Sequence, residues 1–262
     1  MIQNFILFGK EISLYFIMAM IGIFITGYFA IRVCKKNNID ENDLLVISLI
    51  STIGLVIGGH LLYGITNIKY MYRLIIHFEK LKSFGEFIDV IKTIFGGQVF
   101  YGGLIGFLIT SYLCMKKKRL NSKLYYDIFS FCIPLFHFFA RIGCFLSGCC
   151  YGIESHIGFT YHNSPIESAN HVNRFPIQLV EATFNLGLFI FLYYLYKKDK
   201  MKDKLLGLYL LLYPIGRFIF EFFRGDEYRG FLFGLSTSQI ISIFLFVFAI
   251  IFLCKKKKDS SL

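Results

Sequence analysis

The sequence predicts an all-α integral membrane protein of seven transmembrane helices, with its N-terminus outside and its C-terminus cytoplasmic. Three observations carry that prediction. The 262 residues are 56% hydrophobic and only 17% charged, with a mean hydropathy of +0.60, whereas a soluble domain carries roughly 25% charge. The apolar residues gather into stretches of about 20, the length a bilayer-spanning helix needs. The lysines fall in short runs between alternate stretches, as they do in cytoplasmic loops. Phe 32, Pro 4 and Trp 0 agree, because phenylalanine inserts favourably into a membrane.

Taken in order, the spans are residues 12–33, 44–63, 95–115, 125–146, 177–196, 205–223 and 231–254. The first carries Glu11 near its start and has neither a basic leader nor a small-residue cleavage site, so it reads as a retained span rather than a signal peptide. Lys35-Lys36, Lys116 to Arg119, Lys197 to Lys204 and Lys255 to Lys258 each follow an odd-numbered span. The excess of positive charge therefore lies on one side, which fixes the orientation, and six or eight spans would break the alternation. Between spans two and three, residues 67–92 mix charge with periodic apolar residues (Tyr70, Leu74, Ile75, Phe78, Leu81) and predict an amphipathic arm lying at the interface. Residues 148–174 are polar and predict a small outer cap. No repeat, linker or composition shift divides the chain, so residues 1–262 read as a single membrane domain.

The net charge of +11 does not point to nucleic acid, because the cations sit in loops and leave no basic face on the helices. Seven cysteines cannot all pair internally. Cys34, Cys114 and Cys254 adjoin lysine-rich loops, where a reducing cytoplasm keeps thiols free, and Cys132 is a packing residue in mid-helix.

Ionisable groups inside spans are costly and mark a cavity or a partner. The fourth span carries Asp127, His137 and Arg141; the sixth carries Arg217, Glu221 and Arg224, preceded by Tyr213. Tyr213, Arg217 and Glu221 recur every four residues and share one helix face. That face is either a structural ion pair or a guanidinium fork, held by Glu221, that receives phosphate or carboxylate. Arg141, at the outer end of its helix, either snorkels to the headgroup layer or joins Arg217 at one anionic phospholipid headgroup. Gly96, Gly97, Gly102, Gly103 and Gly106 permit close approach of a helix or of a lipid. His60 is either a hydrogen-bonding group or a base. Cys144, Cys149 and Cys150 leave three readings open: a disulfide, a functional thiol, or packing and metal ligation.

Four ordered segments resemble the motifs of the phosphatidylglycerol–prolipoprotein diacylglyceryl transferase family. They are Ala140-Arg-Ile-Gly-Cys-Phe-Leu-Ser-Gly-Cys-Cys-Tyr-Gly152, Gly96-Gly-Gln-Val-Phe-Tyr-Gly-Gly-Leu-Ile-Gly106, Arg174-Phe-Pro-Ile-Gln-Leu-Val-Glu181 and Tyr213-Pro-Ile-Gly-Arg-Phe-Ile-Phe-Glu-Phe-Phe-Arg224. The resemblance covers nearly the whole chain and agrees with seven spans and an outer N-terminus. It implies transfer of the diacylglyceryl group from phosphatidylglycerol to the lipobox cysteine of a prolipoprotein signal peptide, with release of glycerol phosphate. It places the protein in the bacterial cytoplasmic membrane and implies no metal or organic cofactor. By motif, Arg141 and Arg217 bind phosphate, Glu221 and Asp127 orient them, and Tyr15 and Tyr213 line the pocket. His60, Gly102, Gly103, Cys144, Gly152 and Arg224 are expected beside the substrate. The family usually has histidine at Tyr101, asparagine at Cys144, glutamate at Cys149, arginine at His60 and histidine at Phe175. The general base is thereby left open between Tyr101, His60 and no side chain. A phospholipid-binding paralogue without chemistry is the alternative. A thiol-redox protein is a third reading, disfavoured by the lack of a C-x-x-C motif.

Overall fold

The computed structural model describes residues 4–7, 10–76, 83–226, 231–232 and 234–254. Nine helices are described: α1 (Leu14–Lys36), α2 (Glu41–Thr66), α3 (Ile68–Ile76), α4 (Phe84–Phe95), α5 (Phe100–Lys117), α6 (Ser122–Ser147), α7 (Ile177–Lys197), α8 (Leu205–Phe220) and α9 (Thr237–Cys254). Three antiparallel strand pairs join them: β1 (Asn4–Leu7) with β2 (Lys10–Ser13), β3 (Glu154–Thr160) with β4 (Asn173–Arg174), and β5 (Phe231–Leu232) with β6 (Leu235–Ser236). Six helices are long and apolar enough to cross a bilayer, or seven if α4 and α5, bent by 87°, form one broken span.

Two predicted spans start later than expected. The seventh begins at Thr237 because Phe231–Ser236 turns as a hairpin around Gly234, whose φ of +78° suits glycine. The third begins at Phe100 because the chain breaks after Phe95. His60 holds that break: its Nδ1 donates to the carbonyls of Phe95 (2.6 Å) and Gly97 (2.9 Å). The expected interfacial arm is two helices, α3, which carries Tyr70, Leu74 and Ile75, and α4, while Phe78 and Leu81 lie outside the described residues.

The described residues gather into two compact units. One contains α2–α5 and the β5–β6 hairpin. Here α2 packs along α5 through facing glycines: a Cβ on Gly58 would collide with the Gly102 carbonyl, and one on Gly106 with that of Gly54. Such small-residue faces let backbones approach where lipid gives no hydrophobic drive for association. Gly102 and Gly103 thus face Gly58, Leu62 and Leu55 of the neighbouring helix. At its far end, Lys118 pairs with Asp43.

The other unit contains α1, α6, α7, α8, the cap and α9 from Ser238 onward. α1 lies on α6, where Gly22 meets Phe139 and Gly143 meets Tyr15 and Met18. Phe29, Phe131, Phe189 and Tyr193 form an aromatic cluster between α1, α6 and α7. Outward-facing Phe24 and Phe244 remain 69% and 71% exposed, a surface that suits acyl chains and not water. The cap is more structured than a polar loop: Tyr151, Tyr161 and Ala169 pack on Phe145 of α6. The Tyr161 hydroxyl donates to the Phe145 carbonyl at 3.1 Å, and burial pushes its pKa up to about 12, so it stays a donor. Asn170 and Ser164 tie the cap loop together.

Candidate active site

Asp127 and Arg141 lie on one helix but fourteen residues apart, about 21 Å along the axis. The expected role of Asp127 in orienting the arginines therefore fails on distance. Its carboxylate instead accepts from the Asp203 N–H (2.7 Å) and the Leu205 N–H (3.2 Å), closing the turn that starts α8. Those amides would otherwise be orphaned at a helix N-terminus.

Arg141 and Arg217 do meet. Glu181, on α7, accepts both: its Oε2 lies 2.5 Å from Arg141 Nε and its Oε1 3.0 Å from Arg217 Nη1. Arg217 Nη2 pairs with Glu221 Oε2 at 2.8 Å, one turn on along the chain, and donates to Ser238 Oγ at 3.2 Å. All four charged side chains are at most 9% exposed. The i, i+4 pair read from α8 is present, but it is half of a three-helix network centred on α7. α8 carries Pro214, which cannot donate to the preceding turn, and Glu221 opens a short 3₁₀ turn, Glu221–Phe223.

Arg141 Nε also donates to His137 Nε2 at 3.2 Å. A ring nitrogen that accepts from a guanidinium carries no proton, so His137 is neutral with its proton on Nδ1. Its ring lies 5.6 Å from that of Tyr213, which stacks on Tyr209 at 5.5 Å. The hydrogen bonds of Arg141 fall on Nε, so among the described residues its two amino groups engage no hydrogen-bond acceptor.

Arg224 follows the 3₁₀ turn and is gripped at both ends. Its backbone bridges Gly152, while Nε and Nη2 meet the Asp226 carboxylate at 2.7 and 2.5 Å. Gly152 is required by close approach: a Cβ there would collide with the Phe175 carbonyl. The three arginines are balanced by Glu181, Glu221 and Asp226, so the network is formally neutral before any ligand enters.

Cys144, Cys149 and Cys150 are free thiols whose sulfurs lie within 4.8 Å of one another. The disulfide reading is not realised. Hydrogen bonds from Cys144 and Cys149, against burial, and then the Arg224 and Arg141 charges hold the Cys150 thiol well below its usual pKa. Tyr15 sits over Gly143, its amide bound to Ser147 Oγ at 3.1 Å, with its hydroxyl in electrostatic reach of Arg141 and the three sulfurs.

Tyr101 and His60 belong to the other compact unit. Tyr101 is buried. His60 is engaged through both nitrogens, since Nδ1 donates to two carbonyls and Nε2 accepts from Gln98 Nε2 at 3.1 Å. A base needs a free lone pair, and His60 has its lone pair committed.

The residue that sequence reasoning left out of the site is Glu181. It closes a quoted motif, and its signal was available: Gln178, Glu181 and Asn185 form a polar stripe on an otherwise apolar span and are 1%, 2% and 1% exposed. Gln178 Nε2 donates to the Cys149 carbonyl at 2.9 Å, and Asn185 Nδ2 to that of Glu181 at 2.7 Å.

Residues 3–255 match the family model described as prolipoprotein diacylglyceryl transferase. The phosphatidylglycerol–prolipoprotein diacylglyceryl transferase of Clostridium tetani is 36% identical over 248 residues, 94% of this chain and 94% of that one. A second enzyme so named, from Clostridium perfringens, is 32% identical over 92% of this chain and 90% of its own length. That of Campylobacter hominis is 30% identical over 98% and 91%. A match running almost end to end, on a helical chain that brings two motif arginines to one buried carboxylate, has one reading: the protein belongs to the prolipoprotein diacylglyceryl transferase family.

Proposed function

We propose that this protein transfers the diacylglyceryl group of phosphatidylglycerol to the thiol of a lipobox cysteine in a prolipoprotein signal peptide, releasing glycerol phosphate. The observation that carries the proposal is the pair of guanidiniums, from α6 and α8, held at one site by Glu181. The chemistry needs such a pair. A sulfur–carbon bond forms at the glyceryl carbon while the carbon–oxygen bond to phosphate breaks, and its electron pair leaves on the phosphate. Preorganised positive charge stabilises that leaving group, and one such donor is worth about 10² to 10³ in rate.

Arg141, with its two amino groups available, receives the phosphate; Arg217, held by Glu181 and Glu221, adds the second positive centre. Tyr15, Cys144, Gly152, Tyr213 and Arg224 border the substrate; Gly102 and Gly103 serve the packing of α5 on α2. The chain crosses the bacterial cytoplasmic membrane seven times, counting α4–α5 as one broken span. Its N-terminus lies outside and its lysine-rich loops inside.

The test is direct. Purified protein is incubated with phosphatidylglycerol vesicles and a lipobox peptide, and the peptide mass is measured. Diacylglyceryl addition that is lost in Arg141→Ala and Arg217→Ala is the expected result. Retained lipid with no thioether in the unaltered protein would make it a binding paralogue.

A further inference from the structure

The phosphate-binding reading leaves one clustered set of reactive groups unused, the thiols of Cys144, Cys149 and Cys150. Their convergence is built by the backbone. α6 ends at Ser147, and Gly148 (φ +71°) and Cys150 (φ +54°) turn the chain back on itself. The Cys149 N–H then donates to the Cys144 carbonyl at 3.1 Å, and its Sγ lies 3.7 Å from the same oxygen. All three sulfurs fall within 4.8 Å of one another. Sulfurs bound to zinc at about 2.3 Å in a tetrahedron sit about 3.8 Å apart, so ordinary side-chain rotations of an ångström or less close the set. Cys149 and Cys150 are only half-buried, which leaves the cluster reachable.

Charge agrees with geometry. A divalent cation held by three thiolates forms a complex of charge −1. Arg141 is in electrostatic reach of Cys144 and Cys150, and Arg224 of Cys150, so the complex would sit beside two fixed cations. Among the described residues no histidine or carboxylate joins the three sulfurs. Three protein ligands with a fourth position left for water or substrate is the arrangement of catalytic rather than structural zinc.

We propose that Cys144, Cys149 and Cys150 hold one thiophilic divalent cation of the zinc class, whose open fourth position takes the substrate thiol. This deepens the transferase reading and rests on it for the identity of that thiol. A coordinated thiol is deprotonated, its proton passing to solvent. The bound sulfur's electron pair then forms the sulfur–carbon bond as the carbon–oxygen bond to phosphate breaks. The metal changes neither its charge nor its oxidation state, and the neutral thioether, a weaker ligand, departs. Such a site would supply the activation that His60, with both nitrogens engaged, does not.

The full chain in neutral detergent is titrated with Cd²⁺ and the thiolate-to-metal absorption is followed. Saturation at one ion per chain is expected. A lipobox peptide should then raise the band by about a third, as a fourth thiolate joins three, and the same peptide with serine for cysteine should not. The band should vanish in the Cys144→Ser, Cys149→Ser, Cys150→Ser triple variant, which keeps Cys34, Cys114, Cys132 and Cys254. If that variant does not fold, Cys149→Ser alone should lower the band by about a third. A band that survives these changes, or ignores the peptide, overturns the proposal. Transfer assayed after chelation separates the two readings: undiminished transfer overturns the metal site and leaves the transferase standing. A peptide-dependent band in a protein that never transfers upholds the site and sinks the transferase.

Discussion

Replacing Glu181 by glutamine removes one charge and almost no volume, and so isolates the electrostatics of the arginine network. Glu181 is 2% exposed, with one oxygen 2.5 Å from Arg141 and the other 3.0 Å from Arg217. Unit charges about 4 Å apart attract by about 4 kcal/mol at the effective dielectric of 20 typical of protein sites. The two arginines are not equally exposed to the loss. Arg217 keeps Glu221 at 2.8 Å, whereas Glu181 is the acidic partner of Arg141 in the network. The cost should therefore approach that of breaking one buried pair, about 3–5 kcal/mol, a large share of a stability of about 5–15 kcal/mol. Thermal unfolding in neutral detergent measures it. The chain has no Trp, but Cys34, Cys114, Cys132 and Cys144 are buried free thiols, so the rise in labelling by a thiol-reactive dye above the folded baseline reports unfolding. Phosphatidylglycerol should stabilise Glu181→Gln more than the unaltered protein, because the anionic headgroup replaces the missing charge. Combining Glu181→Gln with Arg141→Met should recover most of the lost stability, since an uncharged pair strands nothing. A double variant no more stable than Glu181→Gln alone would refute the shared-carboxylate account.

Other perturbations separate the parts of the molecule. Arg217→Lys keeps the charge but loses the planar fork that meets Glu181, Glu221 and Ser238 together; transfer should fall by about 10² or more, measured as kcat/KM for the peptide. Asp127→Ala should cost about 1–2 kcal/mol of stability, as a lost helix cap does, and leave the rate of transfer unchanged, since it stands about 21 Å from Arg141. A rate loss in folded Asp127→Ala would return it to the site. Gly58→Leu should abolish the close packing of α2 on α5, because its Cβ collides with the Gly102 backbone, and the variant should be recovered poorly in folded form; Gly27→Ala, at a glycine with open space around it, is the control and should melt with the unaltered protein.

Bulk membrane character, the long apolar segments and the motifs were legible in the sequence because they depend on local facts. Twenty apolar residues in a row select a helix in lipid whatever their neighbours do, and lysine runs at α1, α5 and α7 termini mark loops without reference to packing. The Arg217–Glu221 pair was legible for the same reason, being one turn apart on one helix. Three-dimensional proximity was not. Asp127 and Glu181 are both lone carboxylates within spans; the stripe of Gln178, Glu181 and Asn185 marks a buried polar face on α7, but nothing local says which carboxylate meets the arginines. Only the packing of α7 against α8 and α6 brings Glu181 between two arginines, and only the start of α8 claims Asp127 for two backbone amides. His60 likewise offered a plausible base until the break between α4 and α5 delivered two carbonyls to one of its nitrogens. The three cysteines looked like candidates for a disulfide by spacing alone. Left-handed turns at Gly148 and Cys150 bring all three sulfurs together, a convergence that backbone dihedrals determine and residue order does not.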